Sequence, residues 1–315
     1  MKKKYLFLLV FIPVYANFLS AAEFGNNNFS LGLSFGLISG ESREIVYHDE
    51  VTDNYLSQLL WFMRPLPVLG VDLRYSRENR TGLSNFFTNA SFKFGIPAYT
   101  GRMENRDWLY PERPNFLTHY SVHDNRTRRA LLGDFDIGKS FSLYNDFRLG
   151  AFLSYRFMHF YFAASRGSFL YPPGQGGHFY TQDPRILATY RQTWHIASPG
   201  LSFYGVFNQF FDIKLSFRAS PFIWASSIDR HLARALTVTN DSMTGGWFFE
   251  PDLLFSFKPN SAIALVFSLN YRHISGTRGD STYRDPVMGT MTFENTGGAG
   301  FGAFNLGLGV RFNFL

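Results

Sequence analysis

The sequence predicts an all-β protein, a transmembrane antiparallel β-barrel of ten strands that extends above the outer leaflet, on three observations. No uninterrupted apolar run of about 18 or more residues follows the N-terminal segment, which excludes a bundle of membrane-spanning helices. Apolar residues alternate instead with small or polar ones, the period of two that places successive side chains on opposite faces of a strand. The aromatic content is high, with 37 Phe, 17 Tyr and 5 Trp. That suits lipid-facing bands and interfacial girdles, whereas the strands of a soluble sandwich would not expose so much Phe.

The N-terminus reads as a secretory signal peptide over residues 1–22. Lys2, Lys3 and Lys4 precede an apolar run from Tyr5 to Leu19, and Ser20, Ala21 and Ala22 supply small residues for cleavage. Its removal leaves 293 of 315 residues, 23–315, as a single barrel domain, and the loss of three lysines takes the formal charge from +6 to +3. So mild a balance does not point to nucleic acid. There is no cysteine, so neither a disulfide framework nor a thiolate metal site is available.

The strands follow in order, at roughly 29–46, 55–76, 83–107, 122–140, 146–166, 188–208, 211–231, 246–258, 262–275 and 298–315. In the first, Phe29, Leu31, Leu33, Phe35 and Leu37 alternate with Ser30, Gly32, Ser34 and Gly36. Ile263, Leu265, Phe267, Leu269 and Tyr271 repeat the pattern, as do Phe304, Leu306, Leu308, Val310, Phe312 and Phe314 at the C-terminus. A bilayer admits strands only in a closed barrel, apolar toward lipid and small or polar toward the lumen, and ten is an even number as closure requires. Several strands exceed the roughly 9 to 11 residues that cross a membrane. Short turns near residues 77–82, 145, 209 and 259–260 mark the periplasmic rim. Long links at 108–121, 167–187, 232–245 and 276–297, rich in Gly, Pro, Asp and Arg, fall on the outer rim.

Residues with chemical potential cluster at that outer rim. Parity carries the lumen-facing set of the first strand through Gly40 and Ser42 to Glu44, and that of the third through Met103 to Asn105 and Asp107. In the seventh, Asp229 and His231 stand two apart, on one face, where a carboxylate can orient an imidazole as a general base. Their parity matches lipid-facing Phe211, Ile213, Leu215 and Phe217, so a bulge at Pro221 is needed to turn the pair into the lumen.

The segments ISGESREIVY (38–47), LSQLLW (56–61), GRMENRDW (101–108), YRQ (190–192) and SSIDRH (226–231) together resemble the omptins, outer-membrane endopeptidases of Gram-negative bacteria. The resemblance covers nearly the whole mature chain. It implies a ten-stranded barrel whose active site faces the cell exterior, polypeptide substrates at the cell surface and no cofactor. It further implies a water held between two acids of the third strand and an Asp-x-His pair of the seventh. Carried over, the pair is Asp229 and His231, the second acid is Asp107, and Asn105 stands where the pattern has the first. Of the three acids that select a basic residue before the scissile bond, Glu44 matches one, while His119 and Ser227 occupy the other two positions. Of an outer-wall patch that binds lipopolysaccharide phosphates, Tyr155 is kept and Phe157, His159 and Thr193 replace charged residues, which weakens the site.

The residues themselves agree with water activation. No Gly-x-Ser-x-Gly elbow, His-Glu-x-x-His or cysteine nucleophile is present. Ser121, read in the link after Asp107, has no second base indicated, and His119 and His123, though spaced for a metal, lack a third ligand. The expected protein is therefore an aspartic-type peptide hydrolase of relaxed basic preference, monomeric in outer-membrane lipid. Alternatives are a catalytically silent barrel serving as adhesin or structural protein, and a pore, the latter opposed by a ten-stranded lumen filled with side chains.

Overall fold

A computed structural model describes residues 27–49, 51–78, 84–144, 146–171, 177–232 and 234–314, so the signal segment 1–22 lies outside the described residues. The strands are β1 (Asn27–Tyr47), β2 (Tyr55–Glu78), β3 (Ser84–Gly95), β4 (Ala98–Asp107), β5 (His119–Tyr144), β6 (Phe147–Leu170), β7 (His178–Val206), β8 (Phe211–Ser220), β9 (Ile223–His231), β10 (Leu236–Thr244), β11 (Phe248–Phe257), β12 (Ile263–Asp285) and β13 (Gly289–Phe314). Three of the ten barrel strands are interrupted once, giving β3/β4, β8/β9 and β10/β11. Antiparallel pairing runs without a gap around the ring. It closes where β1 meets β13, from Phe29 opposite Phe314 to Val46 opposite Gly297.

Side chains follow the alternation. Leu33, Leu153, Leu201 and Leu308 are more than half exposed on the outside, where an aqueous protein would not leave a continuous apolar band. Inward on β6, Ser154 and Arg156 give way toward the outer end to Met158, Phe160 and Phe162, all buried. Those aromatics form a plug across the lumen. Trp61 stacks on Phe162 and on Tyr190 at 5.6 Å, and Phe160 stacks on Phe301 at 5.4 Å. A lumen stopped in this way does not favour a pore.

The outer ends of the strands reach much further than expected. β5 starts at His119, β7 at His178, and β12 and β13 form a tall hairpin closed by Asp285, whose Oδ1 accepts from Val287 N and Met288 N at 2.8 and 2.9 Å. Among the described residues the segments read as links at 167–187, 232–245 and 276–297 are thus largely ladder, whereas the link at 108–121 is a loop as far as Thr118. They lack apolar alternation because both faces there meet water or the polar cleft.

Candidate active site

The site lies at the outer end of the lumen, above the aromatic plug. The phase flip expected near Pro221 is present. On β8 the even residues Asp212, Ser216, Arg218 and Ser220 point inward, whereas on β9 the odd residues Ile223, Ala225, Ser227 and Asp229 do. Arg218 pairs with Gly200 and Ile223 with Ile196, so β8/β9 holds one residue more than β7 over this interval. The extra residue is absorbed at Pro221 and Phe222, both exposed, where Ser220 Oγ accepts from Phe222 N at 2.9 Å.

Asp229 and His231 meet as the spacing implies, with Asp229 Oδ2 and His231 Nε2 2.7 Å apart. Engagement of Nε2 leaves Nδ1 as the nitrogen able to take a proton. Asp229 is almost fully buried, and its Oδ1 has no partner among the described residues. Burial opposes an imidazolium at His231. The charge and hydrogen bond of Asp229, aided by Asp107 and opposed by Arg234, outweigh it and hold the pKa above the usual histidine value.

Asn105 and Asp107 reach the same cleft by two irregularities that cancel. Between Gly95 and Thr100 the inward phase shifts at the Ile96–Pro97 break, and a bulge at Gly101 (φ 122°) restores it before Met103. Ser57 Oγ donates to Asp107 Oδ1 at 2.7 Å, and Asn105 Nδ2 donates to Asp107 Oδ2 at 3.1 Å.

Glu44, 1% exposed, sits beside Asp229. Burial and the Asp229 charge push its pKa well up, against a hydrogen bond from Asn240. Asn240 links two of the expected pocket positions, with its Nδ2 3.5 Å from Glu44 Oε1 and 3.0 Å from Ser227 Oγ. Its Oδ1 accepts from Ser281 Oγ at 2.6 Å, while Glu44 Oε2 is buried without a partner among the described residues. Sequence reasoning missed Asn240 because it lies in a segment read as a link. His119 does not join Glu44 and Ser227. It stands opposite Asp107 in the ladder, with its ring against Tyr171 at 4.7 Å.

The reading of Ser121 also needs correction. Ser121 is on β5, opposite Asn105, and does have a base: His123 Nε2 is 3.0 Å from Ser121 Oγ. His123 Nδ1 donates to the Arg166 carbonyl at 2.7 Å, presented by left-handed backbone at Arg166 (φ 51°), so the serine hydroxyl donates to Nε2. Burial pushes the His123 pKa down. His119 and His123 thus have separate partners, the ring of Tyr171 for the first and Ser121 with the Arg166 carbonyl for the second.

Below, on the outer wall, Tyr155 Oη bonds His195 Nδ1 at 2.7 Å, Phe157 lies 5.4 Å from the His195 ring, and His159 Nδ1 is 3.0 Å from Thr193 Oγ1. The patch is aromatic and hydrogen-bonded within itself.

Comparison with known proteins gives the family and the fold. A model of the Omptin family matches residues 25–314. The outer membrane protease IcsP of Shigella flexneri is 24% identical over 299 residues, covering 91% of this chain and 91% of that protein. The outer membrane protease OmpP of Escherichia coli (strain K12) is 23% identical with the whole of both chains covered. The crystal structure of the outer membrane protease OmpT from Escherichia coli matches with a TM-score of 0.82 at 18% identity, over 93% of this chain and 99% of that one, a likeness of fold.

Proposed function

Because this chain belongs to the omptin family, we propose that it is an outer-membrane endopeptidase in which His231, oriented by Asp229, activates a water held opposite by Asp107 and Asn105. The observation that carries the reading is the 2.7 Å Asp229–His231 pair at a cleft where the paired strands β2 and β4 bring Ser57, Asn105 and Asp107 into one hydrogen-bonded set. Protease activity in the outer membrane fits the family and its similar relatives.

The water gives its proton to His231 Nδ1 as its oxygen attacks the peptide carbonyl. Asp229 stabilises the imidazolium, which returns the proton to the leaving amine. Asp107 accepts from the water across the cleft. One hydrogen of the Asn105 amide is committed to Asp107, and the other is directed at the developing oxyanion.

Below the dyad, Glu44 offers one unpaired carboxylate oxygen to the residue before the scissile bond. A single acid among Ser227, Asn240 and Ser281 supports a relaxed preference for Lys or Arg, since a buried cation needs compensating charge. The altered outer-wall patch supports activity that does not require lipopolysaccharide.

Digestion of a mixed peptide library by the refolded barrel, with cleavage sites read by mass spectrometry, tests the proposal. Cleavage lost in His231→Ala supports it. Cleavage that persists in His231→Ala overturns the mechanism, and none by the unaltered protein favours the silent barrel.

A further inference from the structure

Beneath the aromatic plug, inside the membrane-spanning part of the barrel, the lumen is charged. Three arginines and three acids there satisfy one another. Arg156 contacts Asp136 at 3.2 Å and Glu250 at 3.2 Å, Arg218 contacts Asp136 at 2.9 Å and Glu250 at 3.1 Å, and Arg272 bridges Glu250 and Asp134. Three against three leaves no surplus.

A cavity of about 140 Å³ adjoins this cluster, and its remaining charged lining is unbalanced. Arg74, Lys93, Lys214 and Arg311 face it, against Asp72 and Asp252. None of the four cations has a carboxylate oxygen within 4.0 Å among the described residues. Lys214 rests instead over the Phe87 ring at 5.3 Å, and Arg311 donates to Ser256 Oγ at 3.1 Å with its Nε buried and unpartnered. The two acids are held by Ser34 and Ser216. Nearby Asp212 is taken by Lys258 at 3.0 Å. Arg74 lies within electrostatic reach of both Lys214 and Arg311, so like charges converge on one space.

Four cations against two carboxylates leave two positive charges without a partner. In a lumen walled by lipid-facing strands, water alone screens such a surplus poorly, and an unpaired cation is costly there. The space also exceeds the roughly 30 Å³ that one water occupies. Gly32 and Gly309 line it without side chains, which keeps it open. The plug of Trp61, Phe162 and Tyr190 closes the route from the active-site cleft, so entry is from the periplasmic end.

We propose that this cavity binds a small inorganic divalent anion, of the sulfate or hydrogen phosphate class, between Arg74, Lys214 and Arg311. The anion neutralises the lumen and ties β2, β8 and β13 together beside the salt-bridge cluster. Arginine supplies forked donors for its oxygens, and Lys214 a point charge.

Sulfate is the probe. Urea unfolding of the full refolded barrel is followed at constant ionic strength while sulfate replaces chloride. The midpoint is expected to rise with the logarithm of sulfate concentration once that exceeds the Kd, as for a ligand that binds only the folded state. Lys214→Met and Arg311→Met should each raise the sulfate concentration at which that rise sets in at least about tenfold, whereas Asp72→Asn, which enlarges the surplus, should lower it. Should the methionine variants not fold, the Asp72→Asn shift and an anomalous peak from selenate in crystals of the unaltered protein decide. A midpoint that rises linearly with sulfate and equally in all variants, as for general exclusion of the salt from the surface, or selenate absent from the cavity, overturns the proposal.

Discussion

Asn105 donates to Asp107 at 3.1 Å, so the residue standing where the omptin pattern has the first acid is bonded to its acidic neighbour instead of repelled by it. Two carboxylates so placed would share a proton. Asn105 fixes the arrangement of the protonated partner permanently.

Asn105→Asp is therefore expected to move the acid limb of the rate profile upward by about one pH unit. The added charge favours the imidazolium of His231, and the base is competent only when neutral. Rate against pH for both proteins measures the shift, and coincident acid limbs would show that position 105 is not coupled to His231.

Asp229→Asn and His231→Ala should each lower kcat by about a thousandfold or more with the barrel still folded. Because the two act as a unit, the double variant should lose little beyond either single one. In Asp229→Asn any residual activity should persist to lower pH, since the main group raising the His231 pKa is gone. Single-turnover cleavage across pH provides the check.

Asn240→Asp should sharpen the preference for Lys or Arg before the scissile bond by about tenfold or more. It places a second carboxylate within reach of Glu44 and Ser227, where an acid is missing. With Asn240 in place, burial and Asp229 hold Glu44 toward its neutral form. KM for a basic peptide should accordingly fall as pH rises through that elevated pKa, while KM for an uncharged peptide stays level.

Lipopolysaccharide should not stimulate the refolded protein relative to neutral lipid. His159 is engaged with Thr193, Tyr155 with His195, and no lysine or arginine occupies these positions to hold a phosphate. A rate increase specific to lipopolysaccharide would contradict this.

Trp61→Ala should cost about 3–5 kcal/mol, because the indole is fully buried and stacks on two rings of the plug. The urea midpoint measures the loss.

The membrane-spanning part was legible wherever one face met lipid. Leu33, Leu269 and Leu308 alternate with small or polar neighbours, and that pattern together with the turn signals between segments gives ten strands. Above the bilayer both faces of a strand can be polar, so the extensions of β5, β7, β12 and β13 leave no period to read. Asp229 and His231 were visible because two residues on one strand suffice to make the pair. Asn240 and the bond between Ser121 and His123 were not. The first depends on β9, β10 and β12 lying side by side, and the second on a carbonyl turned by the backbone at Arg166.

The extra residue at Pro221–Phe222 makes one strand serve two incompatible readers, lipid below and substrate above. Side-chain parity in a ladder is all or nothing, so deleting that residue cannot shift Asp229 and His231 by a small amount. It would evert them onto the outer wall while every leucine and phenylalanine of β8 kept its place toward the membrane. The lower half of the barrel is thus insulated from errors in the upper half. A family built on this plan can vary its cleft by insertion and deletion without relearning how to sit in a bilayer.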